Sequence, residues 1–147
     1  METLTGGCHC GRLTLALVRS LDLAGIAPRA CDCSFCRKHG ASYISDPEGT
    51  LKITARSRDD LHKYRQGSQL ADLILCRECG VLVGVIYDSG SRLYGTVNAG
   101  CLDGDAKLAA PVTASPQMLS PDEKVQRWKK LWVGDVTVST ISGESLR

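Results

Sequence analysis

The sequence predicts a small, mainly β domain with one short C-terminal helix. Three observations carry this expectation. Where Leu13, Leu15 and Leu17 alternate with Thr14, Ala16 and Val18, the period is the two residues of a strand. Fifteen glycines, together with groups of Asp, Pro and Ser, break the chain into short pieces at turn-like intervals. Short strands at regular spacing, not alternating with helices, favour all-β layering over a βαβ arrangement. At 147 residues the chain is most simply one domain over 1–147, and a domain of that size buries ~70% of its unfolded surface. Aromatic residues are only 5% of the chain, so the core must be largely aliphatic.

Taken in order, strands are expected after 13–18 at 43–45, 51–54, 61–64, 70–75, 81–87 and 92–97. Turn chemistry separates them, as at Asp46, Pro47, Glu48 and Gly49, and at Asp88, Ser89 and Gly90. The stretch 103–120 is rich in Ala, Pro, Ser and Thr and reads as a loop or extended connection. A helix follows at about 121–132. Ser120 is its cap, Pro121 its first residue and Glu123 the third position of a capping box. Val125, Trp128 and Trp132 recur at helical spacing before Gly134, and core packing is the expected role of both tryptophans.

Eighteen basic and sixteen acidic residues are interspersed, for a formal charge of +2. No dense basic stripe with interleaved aromatics is present, which argues against a nucleic-acid partner. Of two small basic groups, Arg37-Lys38-His39 and 124–130, the second reads as the solvated face of the helix. No run approaches the ~18 apolar residues of a membrane span, and the start lacks a secretory pattern. The expectation is a cytoplasmic protein without a membrane partner, in which grouped cysteines bind metal instead of forming disulfides.

Seven of the eight cysteines form three groups: Cys8 with Cys10; Cys31, Cys33 and Cys36; and Cys76 with Cys79, followed by Gly80. On a strand, residues i and i+2 share a face about 6.6–6.8 Å apart, so a C-x-C brings two sulfurs to one ion with modest twisting. A C-x-x-C before glycine makes a tight turn in which both sulfurs converge, and Gly80 supplies the positive φ. Cys8, Cys10, Cys76 and Cys79 are therefore expected to clamp a tetrahedral zinc, coupling metal binding to folding. Three thiolates, from Cys31, Cys33 and Cys36, would leave one zinc position open for water or substrate. Four-sulfur sets also hold iron–sulfur clusters, and the inner three plus Cys101 form one in principle. The knuckle spacings favour zinc, with Cys101 as a packed thiol.

Zinc deprotonates a coordinated thiol, whereas a free small thiol is only a few per cent thiolate at neutral pH. An open zinc could thus present a thiolate to an aldehyde, or polarise the carbonyl itself. Arg37 and Lys38 directly follow Cys36. They would offset the thiolate charge and are candidates to bind a substrate carboxylate; the plainer reading has them solvating the site's edge.

These residues resemble the glutathione-dependent formaldehyde-activating enzyme family, which includes centromere protein V-type domains. The resemblance rests on Gly6-Gly7-Cys8-His9-Cys10-Gly11, on 31–38, on Cys76 to Gly80 and on 97–103, and spans about residues 5–103. It implies a small Mss4-like, or β-tent, fold of short antiparallel strands around a structural zinc on the outer four cysteines. It also implies a second, more labile zinc on Cys31, Cys33 and Cys36, the catalytic centre. The implied activity is that of a carbon–sulfur lyase joining or splitting glutathione and formaldehyde as S-hydroxymethylglutathione. Its partners would be a small thiol such as glutathione and an aldehyde. Leu75 stands where the family often has an aromatic, and the part after Asp103 matches weakly.

Two other functions stay open on the residues alone. One is a binding module with two structural zincs; the other is a thiol-based sensor that releases the inner zinc on oxidation. His9, between two ligands, should point away from the metal. His39 stands close enough to the open site to be an acid–base candidate, against the plainer reading of a surface histidine. His62 has no constellation around it. Asn98 suits a turn or backbone-bonding role, and Glu78 a solvent-facing one.

Overall fold

The computed structural model describes residues 2–20, 27–104 and 108–147. In chain order its elements are β1 (Glu2–Gly7), β2 (Leu13–Arg19), β3 (Arg29–Cys31), α1 (Ser34–His39), β4 (Ser42–Ile44) and β5 (Thr50–Ala55). Then come β6 (Leu61–Tyr64), β7 (Asp72–Cys76), β8 (Leu82–Asp88), β9 (Leu93–Asn98), β10 (Val112–Ala114), α2 (Pro121–Leu131) and β11 (Val136–Thr140). The strands form a four-stranded sheet, β1-β2-β5-β11, and a seven-stranded sheet, β10-β3-β4-β9-β8-β7-β6. The protein is mainly β, as expected.

Seven strand pairings are antiparallel. The two parallel ones, β10 with β3 and β11 with β5, bring in two strands, β10 and β11, that lie outside the expected set. β10 lies within the expected connection 103–120, of which residues 105–107 fall outside the described part. Only three residues long, it is specified by its partner and not by its own pattern.

Successive residues of a strand point to opposite faces, and β7 and β8 bury both. Ile74, Val83 and Ile86 join one core cluster, with Leu13, Leu15, Leu17, Leu51 and Ile53 of the four-stranded sheet. Leu73, Leu82 and Val85 join a second, with Tyr43, Trp128 and Trp132. Burial on both faces explains why 81–87 reads as a nearly continuous apolar run. The second cluster lies beside the inner cysteines.

The C-terminal helix starts where its capping residues require. Ser120 Oγ accepts the Glu123 N–H at 3.2 Å, and Glu123 Oε1 accepts the Ser120 N–H at 3.0 Å. Such a cap contributes about 1 kcal/mol. Among the described residues no helix is long and apolar enough to cross a membrane.

Candidate metal centres and an adjoining cavity

The outer cysteines meet where two tight turns face each other. Cys8 follows β1, and Cys10 lies in the turn leading to β2. The first C-x-C therefore sits on a turn, not on a strand, because the Cys8 N–H reaches across to the Leu13 carbonyl at 3.0 Å. Cys76 ends β7, and Gly80, at φ +78°, completes the second turn with its N–H on the Cys76 carbonyl at 2.9 Å. Gly6 has a different reason to be glycine: a Cβ there would lie 2.1 Å from the Cys101 carbonyl oxygen.

All four sulfurs lie within 4.8 Å of one another. Cys8 Sγ–Cys10 Sγ is 3.7 Å and Cys10 Sγ–Cys76 Sγ is 3.6 Å. Zinc–sulfur bonds of ~2.3 Å in a tetrahedron give edges of about 3.8 Å, so the set fits zinc. Hydrogen bonds from the N–H and then the guanidinium of Arg12 hold the Cys10 thiol down at about 6, whereas burial pushes Cys76 up to about 12. The cluster thus pairs a thiolate with protons that a dication would displace.

The inner three come from a strand end and a helix start. Cys31 closes β3. Cys33 is the N-cap of α1, its Sγ accepting the Cys36 N–H at 3.4 Å, and Cys36 lies in the first turn. Helix α1 is an element that the sequence reading did not anticipate. The three sulfurs lie within 4.8 Å of one another and form a set that could hold a metal ion. A hydrogen bond with Cys36 holds Cys31 down at about 6, while the same pairing and then burial push Cys36 up. Tyr43 Oη lies 3.1 Å from Cys36 Sγ, and Gln66 Nε2 is 3.8 Å from Cys33 Sγ. Burial pushes the Tyr43 hydroxyl well above its ordinary range, so it keeps its proton and donates when Cys36 is a thiolate.

The inner sulfurs border a cavity of about 300 Å³; the outer four do not. Its apolar wall includes Leu73, Val85, Trp128 and Trp132, and its cations are Arg29, Lys124 and Arg127. Among the described residues no carboxylate lines it. Arg29 stands two residues before Cys31 on β3, hence on the same face. Its Nη2 donates to Ser45 Oγ at 2.7 Å and Thr96 Oγ1 at 3.5 Å. Burial, and then the like charge of Arg127, lower its pKa. Among the described residues, no acidic side chain facing the cavity balances the positive charge of this wall.

The run 124–130 is therefore not simply a solvated face. Lys124 and Arg127 line the cavity, and Lys129 and Lys130 are exposed. Arg37 and Lys38 occupy the last turn of α1, exposed and outside the cavity lining. The connection expected at 103–120 contributes Ala114, Pro116 and Gln117 to the wall. It is tied to the inner loop by Ser115 Oγ to Asp32 Oδ2 at 2.5 Å and Gln117 Nε2 to Asp32 Oδ1 at 3.0 Å. Sequence reasoning missed Arg29, for which the only signal was its place two residues before Cys31. Lys124 and Arg127 are three residues apart on α2 and share a face, but Lys130 is three further on, and spacing alone does not separate it from them.

The remaining candidates fall into place. His9 is exposed and outside the sulfur cluster. His39 is exposed, with its ring 4.5 Å from Phe35. His62 is exposed and faces Arg77. Asn98 bonds backbone groups at Leu82 and Gly100, and Glu78 faces solvent. Cys101 is buried and donates to the Leu82 carbonyl at 3.0 Å.

Comparison with known proteins agrees with this geometry. A sequence model of the family described as glutathione-dependent formaldehyde-activating enzyme matches residues 3–118. That is most of the chain, and the chain belongs to this family. The fold also resembles the crystal structure of a Rhodobacter sphaeroides protein from a structural genomics programme. The identity is 26%, with a TM-score of 0.51, over 81% of this chain and 93% of that one.

Proposed function

We propose that the chain, as a member of this family, is a zinc-dependent carbon–sulfur lyase acting on glutathione–aldehyde adducts, forming or cleaving S-hydroxymethylglutathione. One contrast supports this reading above all. The four-cysteine set lines no part of the cavity, whereas the three-cysteine set borders it, and among the described residues that cavity is lined by three cations and no carboxylate. An anionic thiol is the ligand such a wall favours.

Cys8, Cys10, Cys76 and Cys79 would hold the structural ion, and Cys31, Cys33 and Cys36 the reactive one. Zinc bound there would supply the charge that keeps a ligated thiol deprotonated at neutral pH. The chain's own residues do the rest. Arg29, Lys124 and Arg127 hold the thiol's carboxylates and orient its sulfur toward the inner cysteines. Arg37 and Lys38, one turn away on α1, offset the thiolate charge from outside the cavity. Tyr43 Oη keeps its proton and fixes Cys36 by a hydrogen bond. Trp128 and Trp132 keep water from one side of the site. A reducing, cytoplasmic setting belongs to the same reading, because it leaves the cysteines free for metal.

The adduct also forms without a catalyst, so the test is a rate. Exchange spectroscopy of formaldehyde with glutathione should show acceleration above the uncatalysed background, and Cys33→Ser should abolish it. A zinc-replete protein that leaves the background unchanged removes the named reaction.

A further inference from the structure

The indole side of the cavity matches nothing in formaldehyde or glutathione. Trp128 and Trp132 stack with centroids 5.0 Å apart and planes inclined by 18°, and Trp128 packs on Tyr87 at 5.3 Å. Both indoles are 8% exposed, so the rings are held by packing before any ligand arrives. With Ala71, Leu73 and Val85 they form an apolar wall in the same cavity as Cys31, Cys33 and Cys36. Formaldehyde has one carbon, and glutathione is polar along its length; neither offers an apolar surface to this wall. Moreover, α2 and Trp132 lie beyond residues 3–118, the part that matches the family.

We propose that this wall is a subsite for the carbonyl partner, and that the partner is an aldehyde larger than formaldehyde. It carries an aryl group, or an apolar group of similar size, on the carbon that bonds sulfur. This inference rests on the lyase reading and names its substrate class. The step balances without an oxidant or reductant. The thiol sulfur bonds to the carbonyl carbon, the π pair moves to oxygen, and oxygen takes up the proton the thiol gave; cleavage is the reverse. An aryl substituent fills the space against Trp128 and Trp132, where aromatic pairs gain beyond simple burial. The cations meanwhile remain available to the thiol's carboxylates.

Two stable thioethers test the subsite on the zinc-loaded wild-type protein. S-benzylglutathione mimics the adduct of an aryl aldehyde, and S-methylglutathione that of formaldehyde. The chain's two tryptophans both lie in the wall, so intrinsic fluorescence reports its occupancy, with calorimetry as the second readout. The benzyl ligand should bind at least tenfold more tightly and give a saturable fluorescence change. Ala71→Phe, which fills the wall from a half-buried position, should bring the two affinities within threefold. Equal affinities in the wild type, or a preference untouched by Ala71→Phe, overturn the subsite and leave the lyase reading standing. Binding of neither thioether overturns the glutathione reading, and the subsite with it.

Discussion

Replacing one cysteine from each set separates structure from chemistry. Cys76 is 2% exposed and joins Cys10 across 66 residues of chain. Closing a loop that long is worth about 4 kcal/mol on the chain-entropy scale used for cross-links. The full binding energy of a structural zinc is larger, at ~10–16 kcal/mol in zinc-finger peptides. A domain's net stability is only ~5–15 kcal/mol, so Cys76→Ser should lower the melting temperature by on the order of 10 °C or more, or prevent folding. The inner set closes only the loop 31–36, worth about 2 kcal/mol on the same scale. There Cys33 also caps α1 through its Sγ, and serine is among the best N-cap residues. Cys33→Ser should therefore stay folded, lose one of two zinc ions and lose activity. Metal content by chromogenic chelator, with thermal unfolding followed by circular dichroism, measures both. A Cys76→Ser protein of native stability, or an unfolded Cys33→Ser, would refute this division.

Three further outcomes are expected. Arg127→Ala should weaken glutathione binding 10–100-fold, the loss of one charged hydrogen bond of about 1.5–3 kcal/mol. Lys129→Ala, on the exposed face, should change it less than twofold; calorimetry distinguishes them. Gly6→Ala should destabilise by about 1–3 kcal/mol in urea unfolding, because its Cβ would lie 2.1 Å from a backbone oxygen. Burial pushes the Cys101 thiol up to about 11 from an ordinary 9. The folded state thus favours the neutral thiol, and the stability this gives is present below pH 9 and lost as pH rises through 11. Alkylation followed by mass spectrometry should find Cys101 protected at pH 8; rapid labelling of folded protein would contradict its burial.

Local chemistry was legible in the sequence, and long-range placement was not. The C-x-x-C-G turn and the capping box of α2 are written in residues three or four apart, so spacing alone specifies them. β10 has no such signal, since its three residues are ordered by pairing with Arg29, Ala30 and Cys31. The same holds for the cavity cations. In sequence, 124–130 is one basic run, and only packing against the sheet assigns Lys124 and Arg127 to the cavity while leaving Lys129 and Lys130 outside. Arg29 was hidden for another reason: a lone arginine on a three-residue strand looks like an edge residue until β4 and β10 flank it.

The two cysteine sets are also mechanically linked. The outer knuckle is the turn of the β7–β8 hairpin, and Leu73 pairs with Val85 in that hairpin's register. Both side chains line the cavity, while Cys76 belongs to the core cluster against the four-stranded sheet. One face of the hairpin carries Cys76 into the outer sulfur set, and the other forms part of the cavity beside the inner cysteines. Strand pairing does the same for the inner set. Arg29 pairs with Tyr43 across β3 and β4, which helps bring the Tyr43 hydroxyl to Cys36 and leaves the Arg29 guanidinium lining the cavity. On the proposed reading, a shift of about 1 Å in a reacting group would cost on the order of 10²-fold in rate, so the distant four-cysteine clamp would matter for chemistry at the three. It would hold the wall against which a substrate is oriented, without contributing a sulfur to the inner set.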